Sequence, residues 1–266
     1  MGLIQAVILS IVQGITEFIP VSSSGHLVLF QHFLGVEIAE DDIFFEILTH
    51  FGTSIAIFLV FFNDILDLAN RAVSSDRQIR YDAWRYVGYI VIGSIPVAIV
   101  GVFLKDFVIQ AFAVPALSAT LLLLTGCILY LSKFRQAEGV AVTLGAALII
   151  GLAQALAPMP GISRSGITIV AALLIGVSRP EAGKFSFMLA LPALIGASLL
   201  DFIKIESLDS LSLSMPAIIL SLTVSAAVGY VALKILLGFI NRGHLHYFSY
   251  YCVAAGVISL ILIRFF

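Results

Sequence analysis

Two short stretches hold most of the reactive side chains of an otherwise apolar chain. The first is Gln13-Gly14-Ile15-Thr16-Glu17 followed, past Pro20, by Ser22-Ser23-Ser24-Gly25-His26. The second is Pro160-Gly161-Ile162-Ser163-Arg164-Ser165-Gly166-Ile167-Thr168. An ionised side chain at membrane depth costs about 2.5–3.5 kcal/mol on insertion scales, so Glu17 and Arg164 need a reason to be there. A buried ion pair between them is one reason. A reaction site is another. Gln13 and Glu17 are four apart and share a helix face. Ser22, Ser23 and Ser24 suit helix caps as well as nucleophiles. His26 adds a general base or acid near neutral pH, or a structural imidazole. Gly161 and Gly166 allow close backbone approach, and free N–H groups at a helix start favour anions. The planar fork of Arg164 suits phosphate oxygens. Ser163, Ser165 and Thr168 complete a polar lining. Glu17 with Gln13 can offer oxygen ligands to Mg²⁺ or Ca²⁺. The combination suits phosphoryl transfer better than carboxylate binding. Because it lies at membrane depth, the expected substrate is a lipid with a phosphate head.

The rest of the chain must position these groups in a bilayer. Of 266 residues, 61% are hydrophobic and 11% charged, with a mean hydropathy of +1.12. Soluble domains carry roughly 25% charge, so the fold class expected is an all-α integral membrane protein. The long apolar runs exclude the alternating pattern of a barrel. A net charge of −2 gives no electrostatic case for nucleic acid. Cys127 and Cys252 sit in apolar runs and suit helix packing. No removable signal peptide is expected.

Six spans are expected, over Phe44–Phe62, Trp84–Leu104, Ala116–Leu131, Phe185–Leu200, Leu213–Leu237 and Phe248–Ile263. The first carries Glu46, Thr49 and His50 near one end, an unusual load for a span. Asn63 to Arg85 reads as a polar, basic connection. Leu3–Ile19 is broken by Pro20, and a helix beginning near Ser23 and ending at Leu34 covers only about 18 Å of a core roughly 30 Å thick. Both motif-bearing stretches therefore read as re-entrant hairpins, residues 3–35 and 140–177, whose polar tips must be buried in protein or line a wet cavity. Loop arginines (Arg71, Arg77, Arg80, Arg85) place the Asn63–Arg85 side in the cytoplasm, and Glu37, Asp41, Asp42, Asp201 and Glu206 fall opposite. Both termini are then outside.

The chain also repeats itself at an offset of 141. Gln13 pairs with Gln154, Ser22 with Ser163, Ser24 with Ser165, Gly25 with Gly166, and Val87-Gly88-Tyr89 with Val228-Gly229-Tyr230. A single membrane domain over residues 1–266 is expected, with a first repeat over 1–135 and a second over 140–266. Each has a hairpin and three spans, and the odd number of crossings inverts the second copy. Sites in such folds lie near the midplane. The tips Pro20–His26 and Pro158–Thr168 are predicted to face each other.

At these residues the chain resembles the undecaprenyl-diphosphate phosphatase family, also called bacitracin-resistance proteins. The resemblance rests on Gln13 through His26, on Pro160 through Thr168, and on Gly176-Val177-Ser178-Arg179 with Phe185-Ser186-Phe187 and Pro192. It implies removal of one phosphate from undecaprenyl diphosphate, recycling the carrier lipid for cell-wall synthesis and opposing bacitracin. It further implies a divalent cation and a site open to the outer side of the cytoplasmic membrane. Its roles fall on Glu17 as carboxylate, Ser23 as nucleophile, His26 as histidine and Arg164 as phosphate-binding arginine. Ser22, Ser163, Ser165 and Thr168 would line the pocket. Family members carry Glu or Gln where this chain has Gln13, which weakens that position as a metal ligand. Glu46 matches a supporting acidic position. A homodimer is left open. Inverted repeats with broken helices also suit a lipid flippase or ion-coupled transporter. A carrier, however, needs no nucleophile.

Overall fold

The structure is a computed structural model and describes residues 3–34, 40–134, 139–202 and 214–265. Twelve α-helices run through these residues. They are α1 Leu3–Thr16, α2 Ser23–Leu34, α3 Glu40–Val60, α4 Phe62–Ala72, α5 Arg77–Phe103, α6 Lys105–Phe112, α7 Pro115–Leu131, α8 Leu144–Gln154, α9 Arg164–Leu174, α10 Arg179–Phe202, α11 Met215–Asn241 and α12 Tyr247–Phe265. Among the described residues, α5, α7, α10, α11 and α12 are long and apolar enough to cross a membrane. A sixth crossing results if α3 and α4, bent by 69° at their junction, form one broken span. Large apolar side chains face outward: Ile4, Phe103, Leu152, Leu199 and Met215 are each more than half exposed. Large apolar side chains exposed in such number fit lipid rather than water.

The four short helices α1, α2, α8 and α9 have 14, 12, 11 and 11 residues. At 1.5 Å per residue none spans a core of roughly 30 Å. The second hairpin returns to the level where it began. Val140 N–H donates to the Gly176 carbonyl at 3.3 Å, and Ser178 N–H donates to the Val140 carbonyl at 3.2 Å, so its two ends lie side by side.

The stretch read as a polar connection, Asn63 to Arg85, is a correction: most of it is helical. Its polarity belongs to α4 and to two turns of α5 that precede Trp84. Asp76 starts α5 by accepting from the N–H groups of Gln78 (2.8 Å) and Ile79 (3.2 Å), the usual N-cap arrangement. Gln78–Asp82 and Asp82–Arg85 contacts at one-turn spacing support the same turns. Lys184 pairs with Asp64 at 2.6 Å, and the Tyr86 hydroxyl donates to Glu181 at 3.0 Å, tying α4 and α5 to α10. The short helix α6 lies between the spans α5 and α7, outside every expected span.

Hairpin arms pack across the two halves of the chain. Helix α1 lies on α11, and α8 lies on α5. The close approaches are made by glycines. A Cβ on Gly14 would come within 3.0 Å of the Ser225 carbonyl, and one on Gly151 within 2.4 Å of the Gly93 carbonyl. Helices in lipid gain little from hydrophobicity against one another, so small residues that let backbones touch supply the packing. Around the tips Phe18, Phe185, Phe187, Leu122, Leu129 and Ile169 are fully buried.

Candidate active site

The first tip is shaped by its own sequence. The helical turn of α1 runs on through Glu17, whose N–H donates to the Gln13 carbonyl at 2.9 Å, and Pro20 then ends it. Ser22 takes a left-handed conformation (φ 64°), rare for a residue with a Cβ. Its hydroxyl accepts from the Gly25 N–H at 3.2 Å and so opens α2. At the second tip Ser163 caps α9 in the same way, accepting from the Gly166 N–H at 3.2 Å. In each tip the cap hydroxyl lies near the next-but-one serine: Ser22 and Ser24 at 3.4 Å, Ser163 and Ser165 at 3.3 Å.

The two tips touch. Gly161 N–H donates to the Ser22 hydroxyl at 3.1 Å, and the Ser165 hydroxyl donates to the Phe18 carbonyl at 2.9 Å. A Cβ on Gly25 would stand 2.7 Å from the Gly161 Cα, so only glycine allows this approach. Gly161 itself has φ 101° and lies against α7, where the Thr125 hydroxyl donates to its carbonyl at 2.7 Å.

At this junction Glu17 is the hub. Its Oε1 accepts from Arg164 Nη2. Its Oε2 accepts from Gln13 Nε2 at 3.1 Å and from the Ser23 hydroxyl at 3.3 Å. The carboxylate side chain is 9% exposed and the Arg164 side chain 14%, so the pair is largely removed from water yet reachable. Arg164 Nη1 is buried and has no hydrogen-bond partner. A guanidinium donor left bare in such a place is costly unless an anion completes it.

Sequence reading missed His50. Its Nε2 lies 3.7 Å from Glu17 Oε2, reached from α3. The polar load Glu46-Thr49-His50 at one end of a span was the available signal. Glu46 itself has a side chain outside the described residues.

The structure gathers Gln13, Glu17, Ser23 and Arg164. It directs His26 elsewhere. His26 Nδ1 meets the Ser22 carbonyl at 2.8 Å, and a carbonyl only accepts, so that nitrogen carries the proton. Nε2 lies 2.7 Å from the Tyr251 hydroxyl of α12, and the two rings stack at 5.6 Å. Ser22, Ser163, Ser165 and Thr168 are buried and bonded within the protein, Thr168 to the Arg164 carbonyl (2.8 Å) and the Ser186 hydroxyl (2.5 Å). The expectation of free amides at the second tip is corrected in part. The N–H groups of Gly161, Ser163 and Gly166 are taken by Ser22, Thr125 and Ser163.

Gln154, the counterpart of Gln13, is fully buried with neither amide atom partnered. Pro158 stands where the first half has Glu17, and Arg164 where it has Ser23. The two tips therefore share a frame but not a set of reactive groups.

Among the described residues no three His, Cys, Asp or Glu side chains group as a metal cage. One carboxylate with a neighbouring hydroxyl and amide fits a hard cation that takes most of its ligands from phosphate oxygens and water.

Comparison with known proteins bears on the whole chain. The family described as Bacitracin resistance protein BacA matches residues 6–258. A protein of Desulfosudis oleivorans called undecaprenyl-diphosphatase is 41% identical over 272 residues, covering 97% of each chain. One of the same name from Halothermothrix orenii is 38% identical over 269 residues and covers 100% of both. Another, from Korarchaeum cryptofilum, is 39% identical, covering 99% of this chain and 100% of the relative.

Proposed function

Because the chain belongs to the Bacitracin resistance protein BacA family, we propose that it removes the terminal phosphate of undecaprenyl diphosphate in the membrane. Its relatives' name, undecaprenyl-diphosphatase, supports the reaction. One observation carries the placement of the site: Glu17 holds Arg164 through one oxygen and Ser23 through the other, and leaves Arg164 Nη1 bare. A phosphate oxygen on that nitrogen would be held by the arginine that shares the Glu17 carboxylate with the Ser23 hydroxyl.

Arg164 binds the terminal phosphate with Nη1 while Nη2 stays on Glu17, which fixes the guanidinium plane. Ser23 Oγ attacks the terminal phosphorus and passes its proton to Glu17 Oε2. The bond from that phosphorus to the bridging oxygen breaks, and its electron pair leaves on undecaprenyl phosphate. Water then attacks the phosphoserine; Ser23 departs with the proton held by Glu17, and inorganic phosphate is released. Positioning and charge stabilisation do most of the work in such a transfer. A Mg²⁺ or Ca²⁺ ion would be held by Glu17, with the Gln13 amide turned so that its oxygen, rather than the Nε2 that meets Glu17 here, faces the ion; when bound it would supply charge neutralisation on the diphosphate. His26 is read as a strut that holds the Ser22 turn against α12 rather than as the base.

We read the two halves as an inverted repeat, with α1–α2 entering from outside and α8–α9 from the cytoplasm of the cytoplasmic membrane, so that the site opens outward. The test of function is release of inorganic phosphate from undecaprenyl diphosphate by the purified protein in detergent. A transporter cannot produce it, and absence of release with a divalent cation supplied overturns the reading.

A further inference from the structure

Away from the tips, the last turns of α11 carry cations that the phosphatase reading does not use. Tyr230, Lys234, Gly238 and Arg242 recur every four residues and so share one face of the helix. A cavity of about 320 Å³ opens on this face, lined by Lys234, Ile235, Gly238, Phe239, Arg242 and His244. Gly238 is its floor: a Cβ there would meet no atom within 4 Å. Outside the lining, the Arg179 guanidinium lies against Gly243, between Arg242 and His244 in the chain: a Cβ on Gly243 would come within 2.7 Å of its Nη2.

Lys234 stands about 10 Å, at 1.5 Å per residue, before the end of α11 at Asn241. A lysine at that depth ordinarily stretches its ammonium toward the nearer interface. Here Nζ lies 4.5 Å from the ring centroid of Tyr230, one turn further in. Among the described residues no carboxylate pairs with Lys234, Arg242 or Arg179. The cavity is thus cationic and unneutralised, and Ile235, half exposed, and Phe239 give it an apolar wall. The stacked rings of His244 and Tyr247 lie beside it, Tyr247 half exposed. Aromatic rings of this kind mark the headgroup level.

We propose that this cavity binds the phosphate head of an anionic lipid, its chain lying along Ile235 and Phe239. Basic pockets at helix ends recognise such heads through charge, and the adjoining apolar surface takes the tail. The proposal does not depend on the reaction at Glu17 and Arg164.

The test is native mass spectrometry of the purified, delipidated chain, titrated separately with phosphatidylglycerol, polyprenyl phosphate, phosphatidylethanolamine and inorganic phosphate. Retention of phosphatidylglycerol or polyprenyl phosphate over phosphatidylethanolamine is expected, and the tighter of the two names the source. Lys234→Gln with Arg242→Gln should weaken retention about thirty-fold, from about 1 kcal/mol per basic residue. Gly238→Leu keeps every charge but fills the floor, and should also displace the lipid. Phosphate release in detergent stays at wild-type level in both variants. Equal retention of phosphatidylethanolamine, retention of inorganic phosphate alone, or undiminished retention in both variants overturns the proposal.

Discussion

Arg164 answers two demands with one planar group. Its Nη2 neutralises a largely buried carboxylate, and its Nη1 is buried without a hydrogen-bond partner. Arg164→Ala removes the phosphate donor and strands Glu17, so turnover in detergent should fall by about 10³-fold or more. The same change should cost about 3–5 kcal/mol of stability, as breaking a buried pair does, which a thermal melt would register. Arg164→Lys keeps the charge but not the fork, and should restore stability more than rate. Ser23→Ala leaves the ion pair whole and tests the covalent step. It should abolish both turnover and any trapped phosphoenzyme, whereas substantial residual turnover would assign the attack to water. At His26 the relevant variant is Tyr251→Phe, which keeps the stacked ring and deletes one hydrogen bond. A loss of about 0.5–1.5 kcal/mol is expected, with a smaller fall in turnover than Ser23→Ala causes.

At the scale of elements, the hairpins are legible in the sequence because their limits are written in local chemistry. Pro20 stops α1, Ser22 opens α2 and Ser163 opens α9 through side chains three residues from the amides they accept. Helix α2 begins at Ser23 and ends at Leu34, where sequence reading put it. Helix α4 was not legible, because polar residues at one-turn spacing, such as Asp67 and Arg71, look like a loop when apolar spans flank them. The contact between the tips rests on two glycines. Gly25→Val should force the Gly161 backbone away and cost about 1–3 kcal/mol, as overpacking does. It should also reduce turnover although no reactive group changes. A thermal melt and a phosphate-release assay on the same preparation check both parts.

At the scale of the whole molecule, α1 lies on α11 and α8 on α5, so each hairpin leans on a span from the other half. Element starts keep the 141-residue spacing at the hairpins, Leu3 with Leu144 and Ser23 with Arg164. The spacing shortens by the end of the chain, because α6 lies between α5 and α7 while only five residues separate α11 from α12. With α3 and α4 as one broken span, six crossings put both termini on one side. Reporter fusions at the two ends should therefore give the same signal, and the outward-facing signal if the loop arginines set the orientation. Opposite signals at the two ends would rule out six crossings.

Composition, apolar run length and the placement of Pro, Gly and Ser determined by themselves that this chain is helical, membrane-embedded and broken at two polar tips. Those properties depend on local energetics: the cost of an unpaired backbone in lipid, and capping by near neighbours. Residue types also narrowed the chemistry to phosphate. Which groups meet was decided only by tertiary structure, because Glu17 and Arg164 are 147 residues apart. His50 joins Glu17 from a third element, and His26 turns to Tyr251, 225 residues away, although it lies three positions from Ser23. Sequence neighbours on a helix point in different directions, and only the packing of α3, α9 and α12 around the first tip selects which of them face the same space.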